Sequence, residues 1–287
     1  MGELIGFVFN PLARKSDRFV EDLIRELCLG DRAWSTPTSD LENRYEELAE
    51  TKLIVLLGGD GTILRAVRVL SEYDIPMVTI NMGRIGFMSE LTVEEAKVKL
   101  PKYLDGNVRV EERRMLQASI YKNNDESPIA VMHALNDVVL GRGGVAKLLD
   151  INAVANGEQL TSYRADAVIV STATGSTGYA MSAGGPIIFP DCRLMLLQPV
   201  APHTGLQRGL VLPEDATIEL SVKDGNNVML SVDGFVEKDF GSSDKVVITV
   251  SPNVVRFLRE KPSTIFYSSL TRRLGLEKLS IHDQRHS

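Results

Sequence analysis

Cysteine is scarce in this sequence: Cys28 and Cys192 are the two thiols in 287 residues. A disulfide-stapled scaffold is excluded, and the pair is expected as free, buried thiols in a reducing compartment, the cytoplasm. Aromatic residues make up 6%, with a single tryptophan, Trp34, read as core or interface. There are four histidines. His282 and His286 have i,i+4 spacing, but they lie in a polar tail without the glutamate of a zinc-protease helix, so no metal site is expected there. Basic residues are outnumbered, 32 Lys and Arg against 38 Asp and Glu, giving a net charge of −6. That balance argues against nucleic acid as a partner. No apolar run reaches the roughly 18–20 residues that span a bilayer, so no membrane segment is expected. The opening MGELIGFVFNP lacks a basic n-region and reads as a first strand rather than a signal peptide.

What is present is an ordinary globular composition, 44% apolar and 24% charged, in a chain long enough for two domains. Residues 4–9 form a short apolar run closed by Asn10-Pro11, a strand and turn. Residues 16–29 carry Phe19, Val20, Leu23, Ile24 and Leu27 at helical spacing. A polar, acidic helix is expected over 40–50, a buried strand over 53–57, a helix over 63–72 and a strand over 75–80. A further helix over 92–104 is opened by Thr92 and Glu95 in capping-box spacing. This β-α-β alternation predicts an α/β domain over residues 1–105, with a Rossmann-like, doubly wound parallel sheet.

After about residue 106 the rhythm changes to short strands with turn signals. Strands are expected at 108–121, 129–140, 148–155, 166–171, 193–199, 216–223, 227–232 and 245–250. Turns are marked by Asn123-Asn124, Asn156-Gly157, Asp224-Gly225 and Asp233-Gly234. The pattern predicts a β-rich, sandwich-like domain over 106–262. Residues 263–287 form an amphipathic tail, basic at Arg272-Arg273, that packs back on the first domain or is partly disordered.

The most informative local pattern is Gly58-Gly59-Asp60-Gly61-Thr62, which follows an apolar strand and precedes a helix. The glycines permit a sharp turn and a close ligand approach. Backbone N–H groups opening the following helix favour an anion such as phosphate. Asp60 there could accept a proton from an attacking hydroxyl or hold a metal, with burial near phosphate tuning its basicity. The plainer alternative is a tight turn with a helix-capping aspartate. No GxxxxGK[ST] loop occurs, and the one G-x-G-x-x-A match, at 141–146, lies between strand-like segments.

Three further stretches carry polar or glycine residues where an apolar chain would be simpler. Residues 81–87, NMGRIGF, form a second loop after a parallel strand, on the edge where open α/β sheets bind ligands, or else an ordinary glycine-rich β-to-α turn. Asn136-Asp137 interrupts the apolar run 134–140, which is costly unless both groups find partners; it is either a strand end that reads a ligand's hydroxyls or a structural bulge or turn. Residues 172–186, TATGSTGYAMSAGGP, combine small hydroxyl and glycine residues with the flat ring of Tyr179, a surface suited to a ribose, phosphate or base. Its GSTG lacks the framing of a nucleophile elbow, which argues against a serine hydrolase. His203 reads as a structural residue near the site.

Together LGGDGT (57–62), NMGRIGF (81–87), LND (135–137), STATGSTGYAMSAGGPI (171–187), PVAPHT (199–204) and VDG (232–234) resemble the NAD kinase family, in its order and spacing, from about residue 4 to 270. GGDG alone is shared with lipid kinases and phosphofructokinases; the 171–187 stretch is the specific one. The resemblance implies an α/β domain, a β-rich domain and an active site between them. It implies phosphoryl transfer from ATP, or in some members polyphosphate, to the 2′-hydroxyl of the adenosine ribose of NAD, giving NADP. It also implies a divalent cation, usually Mg²⁺, and a homodimer or homotetramer.

Carried over residue by residue, the resemblance makes Asp60 the proton acceptor, Gly61 a close backbone contact and Arg65 a phosphate ligand. Asn136 and Asp137 would bind the NAD ribose. Lys147 and Arg164 would lie near the dinucleotide, and Asp166 near its nicotinamide end. Thr174, Thr177, Gly178, Tyr179, Ala180, Met181 and Ser182 would line the adenosine part, with Ala201 beside them. The metal ligands are left unassigned. There are two departures: Met82 precedes Gly83 where the family often has leucine, a mild change, and Phe235 follows VDG where the family often has glutamine, so a polar substrate contact would be missing there. The alternatives are a lipid or other small-molecule kinase of the GGDG type, and a non-catalytic NAD-binding sensor.

Overall fold

The computed structural model describes residues 4–83, 86–123, 125–144, 148–223 and 228–274, without the side chains of 237–239. The chain forms two compact units. The first comprises Met1–Ala66, Ile75–Glu111 and Phe257–Ser287; the second comprises Val67–Asp74 and Glu112–Arg256.

The first unit is built on the parallel strands β1 (Leu4–Phe9), β2 (Ala33–Pro37), β3 (Thr51–Leu57) and β4 (Met77–Asn81), in the order β2-β1-β3-β4, with the short β5 (Leu91–Thr92) beside β4. Helices α1 (Ser16–Glu26), α2 (Tyr45–Ala49), α3 (Asp60–Leu70) and α4 (Val93–Leu104) alternate with them. The run LIVLL is continuous because β3 is an inner strand, buried on both faces. Val55 and Leu57 join Val20 and Leu23 of α1 and Leu100 and Tyr103 of α4 in one core. Ile54 and Leu56 are equally buried on the other face.

Helix α4 begins where its capping box predicts. Thr92 Oγ1 accepts the Glu95 N–H at 3.2 Å, and Glu95 Oε2 accepts the Thr92 N–H at 3.0 Å. The chain leaves β1 towards β2, returns past β1 to β3, and continues to β4. The sheet therefore switches direction between β1 and β3, the place where open α/β sheets bind ligands. The carboxyl end of β3 there leads directly into Gly58, Gly59 and Asp60.

The second unit contains two antiparallel sheets. One runs β13 (Leu210–Pro213), β12 (Leu194–Val200), β11 (Ala167–Thr172), β8 (Asp137–Arg142), β15 (Val228–Val232), β16 (Phe235–Phe240). The other runs β10 (Glu158–Ala165), β9 (Leu149–Ala155), β14 (Ile218–Val222), β17 (Lys245–Arg259), with β6 (Arg109–Tyr121) on β17 and β7 (Ala130–Ala134) on β6. Alternate residues of both sheets, among them Val138, Leu140, Val168, Ile151, Ile218 and Ile248, share one core. This is the sandwich expected from the sequence. The outer face of β8, β11 and β12 is covered by the 173–188 segment through Ala173, Ala180 and Ile188. That segment includes the short helix α5 (Tyr179–Ser182).

Several expectations need correction. The helix over 40–50 is a 3₁₀ turn, Thr38–Asn43, followed by the five-residue α2. The run 129–140 is two strands in different sheets, β7 and β8, with the chain crossing at Leu135-Asn136. The strand begun at 245 continues for 15 residues. Its last residues belong to the first unit, where Phe257 pairs with Met77. Both cysteines are free but exposed rather than buried. Cys28 follows α1 at a positive φ of 50°, and Cys192 sits in the turn before β12.

Candidate active site

In the first unit, Gly58 donates its N–H to the Ile80 carbonyl, and the Gly59 carbonyl accepts the N–H groups of Thr62 and Ile63. The turn is thereby tied to β4, and Asp60 is the first residue of α3. Its carboxylate is 33% exposed and therefore reachable. Asp60 Oδ2 accepts the Phe87 N–H at 2.9 Å, and Oδ1 accepts the Met88 N–H at 3.2 Å. The end of the second glycine loop thus clamps the carboxylate offered by the first.

Gly86 is what allows this approach, because a Cβ there would fall on the Asp60 carboxylate. The C-terminal helix Ile265–Arg273 adds a cation: Arg273 Nη1 is 3.7 Å from Asp60 Oδ2, and its guanidinium lies 3.7 Å above the Phe87 ring centroid. Burial lowers the Arg273 pKa, and the facing Asp60 partly offsets this.

The clamp is fixed from behind. The Met88 carbonyl accepts Thr79 Oγ1 at 2.8 Å and Arg259 Nη1 at 3.0 Å. Arg259 is buried between Glu111 and Glu90, at 3.2 and 3.4 Å. Glu90 also accepts the Tyr103 hydroxyl at 2.8 Å, and burial beside that carboxylate raises the Tyr103 pKa strongly. Arg65 is exposed on α3. Five residues from Asp60, it points about 140° around the helix axis from it.

In the second unit, Asn136 and Asp137 lie at the start of β8. Their backbone is gripped by Asp233, in the turn between β15 and β16. Asp233 Oδ2 accepts the Leu135 N–H at 2.7 Å; Oδ1 accepts those of Asn136 at 2.7 Å and Asp137 at 3.1 Å. Asp233 returns its own N–H to the Asp137 carbonyl at 2.9 Å. Asp233 has φ 51° and Gly234 φ 81°, the positive pair that a tight hairpin turn demands.

Burial, and then the neighbouring Asp233, push the Asp137 carboxyl up to about 7. Burial pushes Asp233 up to about 6 against the lowering effect of its three N–H donors. The Asn136 side-chain oxygen is buried without a hydrogen-bond partner.

The 172–178 segment wraps the same residues. Thr172 Oγ1 donates to the Leu135 carbonyl at 2.6 Å, and the Thr172 N–H donates to the Asn136 carbonyl at 2.9 Å. At Gly175 a Cβ would collide with the Asn136 carbonyl. At Gly178 it would stand 3.7 Å from Asn136 Nδ2 and 4.0 Å from Asp137 Oδ2. Thr174 is buried and accepts from Arg113 at 3.3 Å; Thr177 Oγ1 donates back to the Thr174 carbonyl at 3.1 Å. Tyr179 is 44% exposed, with Met181 half-buried and Ser182 exposed beside it. Ala180 turns fully into the core.

A separate group gathers Arg164, Asp166 and Ala201. Arg164 exchanges backbone hydrogen bonds with the 203–204 turn, and the Asp166 N–H donates to the Val200 carbonyl. Arg142 holds the Asp166 carboxylate with two nitrogens, at 3.0 and 3.2 Å. Ala201 has a positive φ of 46°. This group and Asn136-Asp137 occupy opposite ends of the β8–β11 ladder, where Asp137 pairs with Ser171 and Gly141 with Ala167. At about 3.3 Å per residue they are about 13 Å apart along it. Lys147, His282 and His286 lie outside the described residues.

Three residues were missed from sequence. Asp233 carried a signal in its VDG turn, and Gly86 in the glycine loop. Arg273 showed only as half of a basic pair. Among the described residues, no three His, Cys, Asp or Glu side chains converge as a metal cage.

Comparison with known proteins gives a consistent picture. The family model described as the ATP-NAD kinase N-terminal domain matches residues 20–108, and that of the ATP-NAD kinase C-terminal domain matches residues 135–260. A NAD kinase of Dehalococcoides mccartyi strain CBDB1 is 36% identical over 285 residues, 99% of this chain and 100% of the relative. A NAD kinase of Gemmatimonas aurantiaca is 38% identical, with 85% of each chain covered. Among solved structures, yeast NADH kinase complexed with NADH superposes with a TM-score of 0.83 at 25% identity, covering 96% of this chain and 88% of that one. A NAD kinase from Archaeoglobus fulgidus in complex with ATP gives 0.72 at 26%, covering 91% and 95%. The two glycine loops around Asp60, the Asp233-held Asn136-Asp137 turn and these matches along nearly the whole chain establish that it belongs to the NAD kinase family.

Proposed function

We propose that this chain transfers the terminal phosphoryl group of ATP to the 2′-hydroxyl of the adenosine ribose of NAD, giving NADP and ADP. The observation that carries the chemistry is the Asp60 carboxylate, held by two backbone N–H groups at the switch-point end of β3 yet a third exposed. The 2′-hydroxyl gives its proton to Asp60 as its oxygen bonds to the γ-phosphorus, and the bond to the bridging oxygen breaks to release ADP. Such transfer depends on positioning and charge neutralisation more than on covalent help. Gly61 and Arg65 serve the phosphates. Asn136 and Asp137 hold ribose hydroxyls, and the buried Asn136 oxygen awaits a donor. Thr174, Thr177, Gly178, Tyr179, Met181 and Ser182 serve the adenosine with Ala201 beside them, Ala180 seating their segment in the core, and Lys147, Arg164 and Asp166 serve the rest of the dinucleotide.

Among the described residues no side chains form a cage for a divalent cation, so Mg²⁺ would be held mainly by the phosphate oxygens of the donor. The protein acts in the cytoplasm, as its free thiols suit a reducing compartment, and as a homodimer or homotetramer. The test is direct. Purified protein with NAD, ATP and Mg²⁺ yields NADP, read with an NADP-specific dehydrogenase. Absence of product across ATP, polyphosphate and several divalent metals overturns the reading; NADH as acceptor is a further arm.

A further inference from the structure

We propose that Arg273 is a positioning residue for phosphoryl transfer, fixing the Asp60 carboxylate directly and through Phe87. This rests on reading Asp60 as the proton acceptor. Arg273 is in the last turn of the C-terminal helix, where a cation is favoured by the helix dipole alone. A cation serving only the dipole can stay in water. The Arg273 side chain is instead 22% exposed, with one guanidinium nitrogen at ion-pair distance from Asp60 Oδ2 and its carbon stacked 3.7 Å over the Phe87 centroid.

Phe87 is the residue whose N–H donates to that same Oδ2. One guanidinium therefore touches the carboxylate and pins the loop residue that hydrogen-bonds it. A planar, delocalised cation can do both; an ammonium can supply the charge but not the stack. Gly86 leaves no side chain to hold the carboxylate from its other side, so the rotamer of Asp60 depends on this clamp. Residues far along the chain, in an unremarkable basic pair, thereby set the direction in which the base presents its free lone pairs.

The experiment uses the full chain with NAD, ATP and Mg²⁺. Arg273→Met lowers kcat by about 10–100-fold, the scale of a misplaced catalytic group. The KM values for NAD and ATP stay within about threefold, because ground-state binding is untouched. Arg273→Lys recovers part of the loss. Phe87→Leu keeps the N–H donor and removes the ring, and it reproduces part of the loss even if Arg273→Met folds poorly. In the Asp60→Asn background, Arg273→Met adds no further loss.

Wild-type kcat in Arg273→Met, a change confined to KM, or a full additional loss in the double variant each overturns the inference while leaving Asp60 as the base. Wild-type turnover in Asp60→Asn overturns the reading of Asp60 itself.

Discussion

Asp233 accepts the Asn136 N–H at 2.7 Å, while the side-chain oxygen of Asn136 is buried without a partner. The backbone of Asn136 is thus fully committed and its side chain is held in reserve. An unpaired buried acceptor costs about 1–3 kcal/mol, a cost that a ligand hydroxyl can relieve.

Asn136→Leu separates these two effects. Without ligand, the variant should be no less stable than wild type, since the unsatisfied oxygen is gone. Addition of NAD should raise the melting temperature of wild type and leave Asn136→Leu nearly unmoved. A full NAD shift in the variant contradicts the assigned role.

The acidic pair makes stability depend on pH. Asp137 titrates at about 7 and Asp233 at about 6 in the folded protein, against 3.8 for an ordinary carboxyl. Between about pH 4 and 7 the folded state holds protons that the unfolded chain has released, so this pair erodes stability as pH rises. Each pKa unit corresponds to about 1.4 kcal/mol. Asp137→Asn should therefore gain stability over wild type, progressively from pH 4 to 7 and by a few kcal/mol in all, with no gain below pH 4. It should also lose affinity for NAD. Urea unfolding at several pH values checks the first and a binding isotherm the second.

Two glycines test function against stability. A Cβ at Gly86 meets the end of a side chain, the Asp60 carboxylate, which can swing aside at little cost to the fold. A Cβ at Gly175 meets the Asn136 carbonyl, which is backbone and cannot move cheaply. Gly86→Ala should keep a near-wild-type melting temperature and lose about 10²-fold in kcat, as a displaced base does. Gly175→Ala should lose about 2 kcal/mol or more of stability, the range of overpacked buried sites. Equal effects of the two on melting temperature contradict this division.

Much of the fold was legible because its inner elements are apolar at a recognisable period. The strands over 53–57 and 166–171 are buried on both faces and announce themselves as unbroken runs. Of the five strands not foreseen, β2, β10, β13 and β16 are each at the end of a sheet, and the fifth is the two-residue β5 beside β4. Edge strands keep one flank in water, so Ala33–Pro37 and Glu158–Ala165 mix polar and apolar residues without a clean pattern.

The site was legible where it used special backbone: the GGDG turn, the Asn136-Asp137 break and the small-residue segment after it. What supports these residues was much less so. Asp233 and Arg273 act across 97 and 213 residues of sequence, counted from Asn136 and Asp60, and no local spacing encodes such a contact.

The support behind the Asp60 clamp can be dismantled in two ways with opposite expectations. The Met88 carbonyl has two donors, Thr79 Oγ1 and Arg259 Nη1, and Thr79 is fully buried. Thr79→Val keeps the shape and leaves the carbonyl bonded to Arg259, so the cost should be near the net value of one hydrogen bond, about 1 kcal/mol. Arg259→Met removes more than a donor. Glu90 and Glu111 are buried; Glu90 loses its facing cation, while Glu111 loses one of two and keeps Arg109 at 2.9 Å. Stranding buried charge typically costs about 3–5 kcal/mol. Chemical denaturation should therefore place Arg259→Met well below Thr79→Val, although both delete one hydrogen bond to the same oxygen. If the two variants are equally stable, the ionic network around Glu90 contributes nothing to holding the clamp.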